Sequence, residues 1–379
     1  MTWIVARLLH PLYMADTSEP SITTLCRGST IMKKTVLAFA VAAAVAAPAA
    51  MADTTLYGRM NLSLDFVDND EDSSHQLASN SSRLGVRGSE DLGMGLKGVY
   101  QIEAGLYSDR QTFDNSDLTA RNTYLGLAGG FGELRLGKHD SAYKTATLPL
   151  NFFADTLGDM HHIAGQFDDA AGVDNFYNRD DNTIVYMSPN LDGMRFMANY
   201  TTDKDDDTPD AYANDRSAMS LAGTFEQGPM YLGVAYQQMN EYNAARDADA
   251  TGWKVGGTYD LGGFTLAAMY ENLDSDQDAF GDRDMFHLGG KYAMGQAYLM
   301  ASYSMADEND MDETGADMYA LGAGYNLSQR TNMYATYAQM SNDDAATYAF
   351  TGSGKGKSVA ASAAGAEVSG FQVGVAHNF

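Results

Sequence analysis

The sequence predicts an all-β fold, a 16-stranded antiparallel transmembrane β-barrel, and three observations carry that prediction. Apolar and polar side chains alternate along most of the chain with a period of two residues, which is the period of a strand. The connections between these segments are alternately short and long. An export signal precedes the segments, and the chain ends on an aromatic residue, Phe379.

The alternation is clear in the first predicted strand, TLYGRMNLSLDF. One face carries Leu56, Met60, Leu62, Leu64 and Phe66. The other face carries Tyr57, Arg59, Asn61, Ser63 and Asp65. Counting such segments through to the last residue gives sixteen strands, seven short turns and eight long loops. The long loops are rich in Asp and Asn and include 67–80, 202–216, 241–250, 274–283 and 306–316. A soluble β-sandwich also alternates, but an even number of strands with short turns and long loops is typical of an outer-membrane barrel.

The composition excludes several classes of protein. With 24 Lys and Arg against 50 Asp and Glu, the 379-residue chain has a formal net charge of −26. It is therefore a poor candidate for binding nucleic acid, which requires clustered basic residues. It lacks the several apolar stretches of ~20 residues that a helical membrane protein needs. Cys26 is the only cysteine and lies in a segment that we expect to be removed, which leaves no disulfide, Cys-ligated zinc or thiol nucleophile.

Residues 32–52 have the pattern of a secretory signal peptide. A pair of lysines is followed by the apolar run 36–47 and by an Ala-Met-Ala cleavage site that ends at residue 52. Residues 1–31 precede this signal, and we expect them to be a mis-called start; a disordered extension is the alternative. The mature domain is then a single barrel, 53–379. Removing four basic and two acidic residues gives it a formal net charge of −28.

Three longer segments and the C-terminus resemble one family. SSRLGVRGSEDLGMGLKGVYQIE (81–103), RNTYLGLAGGFGELRLGKHD (121–140), RDDNTIVYMSPNLDGMRFMANY (179–200) and the terminal Phe379 are similar to the Gram-negative general porins of the neisserial and β/γ-proteobacterial type. The resemblance implies a trimeric barrel with a water-filled pore and an inward-folded third external loop that forms a constriction. Here that loop is about 143–178, the longest in the count.

The resemblance also implies arginines on the barrel wall that face acidic residues of the loop. The matching wall positions are Arg83, Arg121 and Arg179. Alternation independently places further basic residues on the inward face, namely Arg59, Arg87, Lys97 and Arg135. Arg121 shares a face with apolar residues of its strand, so it needs a bulge or a place beyond the regular strand. An inward arginine could also simply pair with an acid of the wall, such as Glu103 or Asp65, and hold the wall together.

In the loop, Asp155 and Asp159 are the candidates for the facing carboxylates, and Asp168, Asp169 and Asp174 are weaker candidates. Cations on one side of a pore and carboxylates on the other produce a transverse field that orients dipolar solutes and sets the ion preference. The acidic PEFG-like motif common in the family is absent, so the functional loop residues of the family match positions in this loop poorly. Both aspartates could instead be ordinary solvated residues.

No metal, cofactor or catalytic site is expected. His161 and His162 have no partner at metal-ligand spacing. Two acidic loop segments, 274–285 and 310–315, approach the spacing of a calcium loop. The first has Ala279 and Met285 where such a loop has glycine and glutamate, the second is a similar near miss, and neither is an EF-hand. Weak bridging of divalent cations between these acidic loops and lipopolysaccharide is an alternative. No nucleophile or base constellation is legible, so we do not expect an enzyme.

The sequence therefore predicts a general diffusion porin of the Gram-negative outer membrane, a homotrimer that passes small hydrophilic solutes and ions. Five acids and no bases in Asp307–Glu313 suggest a weak cation preference. The partners would be outer-membrane lipid, lipopolysaccharide and the barrel assembly machinery, with Phe379 as the C-terminal assembly signal. A substrate-specific channel, a structural or adhesin barrel with a closed lumen, and a secreted enzyme are the alternatives.

Overall fold

Seventeen antiparallel strands form one sheet in the described residues of the computed structural model. The structure describes residues 53–107, 121–167, 175–202, 216–242, 248–277, 281–352 and 354–379. The strands are β1 (Thr55–Asp68), β2 (Ser73–Ser79), β3 (Arg83–Gly93), β4 (Leu96–Gly105), β5 (Thr123–Gly129), β6 (Gly132–Asp140), β7 (Arg179–Met187), β8 (Met194–Thr201), β9 (Ala218–Gln227), β10 (Met230–Met239), β11 (Ala250–Asp260), β12 (Phe264–Ser275), β13 (Arg283–Met294), β14 (Ala297–Ala306), β15 (Ala316–Asn326), β16 (Thr331–Asn342) and β17 (Val368–Asn378). The last strand pairs with the first, from Arg59 opposite Asn378 to Asp68 opposite Ser369, so the sheet closes into a barrel.

The barrel has sixteen strand positions, because β2 and β3 are two halves of one strand. The long-loop half of β1 pairs with β2, and its other half pairs with β3. The interruption lies at residues 80–82, where Ser81 has a positive φ of 49°. The predicted strand number is confirmed. The predicted loop 67–80 is wrong, since the connection is only 69–72: the polar segment SSHQLAS gains a full ladder of backbone hydrogen bonds along β1.

The connections alternate between the two ends of the barrel as predicted. The strands of the described part are joined at one end by the short turns 94–95, 130–131, 188–193, 228–229, 261–263, 295–296 and 327–330. Glycine supplies the left-handed backbone that the tightest of these need, as at Gly95 with a φ of 79°. At the other end the longest connection is 141–178, between β6 and β7.

The two faces of the sheet differ in the way a barrel in lipid requires. On β11 the outward Trp253 and Val255 are 44% and 45% exposed, whereas Lys254 between them is fully buried inside. On β17 the outward Phe371 and Val373 are likewise nearly half exposed. Apolar side chains therefore cover the outside of the barrel. In the part of the chain that the structure describes, no helix is both long and apolar enough to cross a membrane.

The lumen is partly filled by the described residues, 141–167 and 175–178, of the connection 141–178, here named the constriction loop. It contains a short helix, α1 (Ala142–Thr145), and two 3-10 turns, Leu148–Leu150 and Met160–His162. The side chain of Leu150 lies where a Cβ on Gly256 of β11 would be, and the Leu157 amide donates to the Gln372 carboxamide of β17 at 3.2 Å. The loop thus contacts inward-facing residues on several strands and crosses the lumen.

The last long connection, 343–367, also packs inside. Tyr348 and Phe350 are fully buried, and the amide of Thr351 donates to Nδ1 of His162 in the constriction loop at 3.1 Å. Gly356 approaches Leu157 so closely that a Cβ there would lie 2.5 Å from the leucine side chain. Two loops therefore share the lumen and contact each other.

Candidate pore constriction

Two arginines meet one glutamate on the inner wall formed by β1, β3 and β4, and a third arginine lies beside them. Nε of Arg121 lies 2.6 Å from one carboxylate oxygen of Glu103, and Nε of Arg83 lies 3.9 Å from the other. The Tyr57 hydroxyl donates to the same carboxylate at 2.8 Å. Arg59 is the third arginine and lies opposite Arg83 in the register between β1 and β3. The wall therefore concentrates positive charge that its own carboxylate, Glu103, balances only in part.

Arg121 reaches this wall because it precedes the regular strand. It lies two residues before the start of β5 and so is not bound by the alternation of that strand. The sequence required either a bulge or a place beyond the regular strand for Arg121 to point inward, and the structure shows the place beyond the strand.

Asp155 brings the constriction loop to the wall. Its carboxylate lies 3.3 Å from Nη1 of Arg59, and its backbone carbonyl accepts from Nδ2 of the Asn61 side chain at 3.4 Å. The side chains of Arg59 and Asp155 are 26% and 22% exposed, so water and ions can reach the pair. Opposite charges thus meet across the gap between loop and wall at this point.

Asp159 does not face the arginines, and the prediction that it does is wrong. It is 3% exposed and bonds inside the loop, accepting from Asn151 at 2.7 Å and from the amide of Asp155 at 3.0 Å. Burial by itself raises the pKa of this carboxyl, but His161 and Lys355 outweigh burial and hold the pKa well below its usual range. Its charge stabilises the loop. The weaker candidates Asp168, Asp169 and Asp174 lie outside the described residues.

A second cluster joins the root of the constriction loop to the wall. Asp140, at the end of β6, lies 3.0 Å from Arg179 of β7 and 2.8 Å from Lys144 of α1. Asn122 accepts from Nε of Arg179 at 2.6 Å and donates to Asp140 at 2.9 Å. Arg179 therefore lies in the lumen as the resemblance implied, but it is paired with the root of the loop.

The remaining predicted wall residues lie further toward the short turns. Arg135 pairs with Glu133 at 2.8 Å and lies over the ring of Tyr124 at 4.2 Å. Arg87 lies 4.9 Å from the ring centre of Tyr57. Lys97 is opposite Asp91, next to the turn between β3 and β4, six residues along the strand from Glu103. At ~3.4 Å per residue that distance removes Lys97 from the arginine cluster.

The histidines of the loop are part of its internal packing. His161 is 3.0 Å from Asp159, and its ring lies against Tyr177 with 4.0 Å between the ring centres. Burial lowers the pKa of His162 to about 3, so this ring is neutral at ordinary pH. Among the described residues no three His, Cys, Asp or Glu side chains are grouped to hold a metal ion.

Sequence reasoning missed several charged residues of the lumen. Lys254 and Glu271 are fully buried, and Arg283 is 1% exposed. The inward parity of Lys254 and Glu271 was visible in the sequence, but nothing there showed that the constriction loop covers them. Lys355 was also missed; its ammonium donates to the His161 carbonyl at 3.1 Å, which brings the last loop onto the constriction loop.

Comparison with known proteins identifies the family. A model described as Gram-negative porin matches residues 38–345. Outer membrane porin protein 32 of Delftia acidovorans is 30% identical over 364 residues, which cover 92% of this chain and 100% of the relative. Major outer membrane protein P.IB of Neisseria meningitidis serogroup A is 36% identical over 124 residues, covering 30% of this chain and 36% of the relative.

Solved structures agree with this assignment. An anion-selective porin from Comamonas acidovorans matches with a TM-score of 0.74 at 26% identity, covering 86% of this chain and 99% of that chain. The trimer form of OmpT of Vibrio cholerae has a TM-score of 0.62 at 19% identity over 86% of this chain and 99% of that chain, which shows the shared fold. The family model and the Delftia relative are described as porins, which are channels rather than enzymes. The chain belongs to the Gram-negative porin family and is a β-barrel of the outer membrane, as the sequence predicted.

Proposed function

We propose that this chain is a general diffusion porin through which ions and small hydrophilic solutes pass passively, and that its pore prefers anions. One observation carries the ion preference: among the described residues, six cationic side chains share four carboxylates in the ion pairs of the arginine wall, of Arg135 and of the loop root. The cations are Arg59, Arg83, Arg121, Arg135, Lys144 and Arg179. The carboxylates are Glu103, Glu133, Asp140 and Asp155.

Charges in a narrow passage act on a passing ion more strongly than charges on the external loops. The Debye length is ~10 Å at 0.1 M salt, so an ion in the constriction is within range of the whole wall. Low-dielectric walls concentrate the field further. Similarity to the anion-selective porin of Comamonas acidovorans supports the same sign. This proposal opposes the weak cation preference expected from the acidic loops.

An aqueous cavity supports passage rather than a closed lumen. A cavity of about 910 Å³ opens at the short-turn end of the barrel. Its lining includes the charged side chains Glu133, Arg135, Arg195 and Glu226. Such a lining favours water and ions over apolar solutes.

The test is the reversal potential of the refolded protein in a planar bilayer under a KCl gradient. We expect a potential that shows chloride preference. Potassium preference would restore the expectation from the external loops and refute the proposed sign. A folded, heat-modifiable barrel without conductance would favour a structural barrel with a closed lumen. Saturable block by one solute would favour a substrate-specific channel.

We infer a homotrimer, an outer membrane rich in lipopolysaccharide as its setting, and assembly directed by Phe379. The trimer form of the Vibrio cholerae OmpT structure supports the oligomer. Backbone hydrogen bonds of 3.0 Å in both directions join Phe379 to Gly58, and the Phe379 ring occupies the space beside that glycine. Openings in steps of three and cross-linking to trimers are expected. Mass analysis of the exported protein tests removal of residues 1–52.

A further inference from the structure

A cation and a carboxylate are buried together on the side of the barrel away from the arginine wall. Lys254 of β11 and Glu271 of β12 lie opposite each other in the register of the two strands, and both point into the lumen. Neither is exposed to solvent. A buried charge is unfavourable unless other groups compensate it. The groups that compensate this pair therefore show which part of the protein it binds.

The ammonium of Lys254 is enclosed by the constriction loop. It donates to the hydroxyl of Thr147 at 2.7 Å and to that of Tyr177 at 2.7 Å. It also lies 4.0 Å from the ring centre of Tyr143 and 4.0 Å from that of Tyr177. Two aromatic faces and two hydroxyls of the loop therefore replace the water that a lysine would otherwise bind.

The carboxylate of Glu271 binds the same loop at three points. One oxygen accepts from the hydroxyls of Tyr143 at 2.8 Å and Tyr177 at 3.1 Å. The other oxygen accepts from the amide of Gly165 at 2.6 Å. The start, the middle and the return of the loop are thus fastened to one carboxylate, while the Tyr177 hydroxyl links that carboxylate to Lys254.

We propose that Lys254 and Glu271 are positioning residues that hold the constriction loop in place and so fix the aperture of the pore. The inference rests on the proposed channel function. The ladder between β11 and β12 is made of backbone hydrogen bonds, so the barrel does not depend on these side chains, whereas the loop has little regular structure of its own. Loss of either partner leaves the other charge buried and unpaired, and the loop then moves to expose it.

The decisive variant is E271Q, which keeps the shape of the side chain. Glutamine has one acceptor oxygen, so it cannot accept from both the Gly165 amide and the two tyrosine hydroxyls as the carboxylate does. We expect the fraction of time in displaced-loop conductance substates to rise about 100-fold, the order expected on unpairing a buried charge. The matched control is K291Q. Lys291 is on the neighbouring strand β13 and lies over the Tyr298 ring at 5.0 Å, and within the described residues it forms no hydrogen bond or ion pair with the loop.

A chemical readout separates this inference from the ion preference. Ala164 is fully buried beside Gly165, and the predicted mature chain has no cysteine, so A164C is a single reporter thiol. In E271Q, we expect a water-soluble methanethiosulfonate to label it about 100-fold faster, with no change in K291Q. The double variant K254M/E271L, which leaves no charge unpaired, should label more slowly than E271Q. Equal labelling of E271Q and K291Q, in barrels that remain heat-modifiable, overturns the proposal whatever the reversal potential shows.

Discussion

Neutralising Glu103 tests whether the arginine wall sets the ion preference of the pore. E103Q removes the carboxylate that Arg83 and Arg121 share, without changing the size of the side chain. With Arg59 and Asp155 included, the cluster passes from three cations and two anions to three cations and one anion. The excess of positive charge therefore doubles, and the chloride preference should increase.

The size of the effect follows from the distance between the wall and a passing ion. One unit charge about 8 Å away changes the energy of a monovalent ion by about 0.5 kcal/mol in water. Screening leaves about 0.4 kcal/mol at 0.01 M salt and less than about 0.1 kcal/mol at 1 M. Chloride gains what potassium loses, so the permeability ratio should rise about fourfold at 0.01 M and hardly change at 1 M.

The assay is the reversal potential at several salt concentrations with a fixed concentration ratio across the bilayer. The matched control is D312N, which removes one acid from the exposed external loop 307–315. It should change the ratio much less than E103Q does. If D312N shifts the ratio as far as E103Q, the external loops set the preference and the reasoning from the wall is refuted.

Three further predictions follow from individual contacts. R121Q should lower the chloride preference by a similar factor, because it removes the cation nearest to Glu103 and leaves the more distant Arg83. An increase in chloride preference in the same reversal-potential assay would contradict the wall model. Burial lowers the pKa of His162 to about 3, so only a ring released from the packed loop takes up a proton at mildly acidic pH. The packing of the last loop should therefore weaken by about 1.4 kcal/mol per pH unit below about pH 6.5. Protease cleavage within 343–367 should accelerate on acidification in wild type and much less in H162Q. G58A should reduce severalfold the fraction of protein that runs as a heat-modifiable barrel on gels, because the new Cβ would lie 2.3 Å from the Phe379 ring. An unchanged fraction would show that the ring can shift freely.

The strand pattern was predictable because lipid imposes a simple rule on the outer face of each strand. The inner face obeys no such rule. On β15 the inward Met318 and Ala320 are buried while the outward Tyr319 and Leu321 are exposed, so both faces are apolar and the alternation is weak. The reason lies in the constriction loop, which covers this part of the inner wall. A single sequence does not show which strands a distant loop will cover.

The same limit explains which site residues sequence reasoning found. Arg83 is fixed by local parity and by a family motif, so its inward position was predictable. The prediction for Asp159 failed because an acid that faces the pore wall and an acid that caps a turn look alike in sequence. Here Asp159 caps the turn Met160–His162 by accepting from the His161 amide at 2.9 Å, while Asp155 reaches Arg59. The difference is decided by the path of the loop.

Net charge and pore charge are separate quantities in this molecule. The chain carries −26 overall, yet among the described residues the ion pairs of the arginine wall, of Arg135 and of the loop root hold two more cations than carboxylates. Acids on exposed loops keep their hydration at little cost, whereas charges inside the barrel must be compensated by the wall or by a loop. The constriction loop meets that requirement on two sides: Asp155 pairs with Arg59, and Tyr143 and Tyr177 enclose Lys254. Under the proposed function, ions pass along the arginines, and the local excess of positive charge there sets the ion preference that the reversal potential tests.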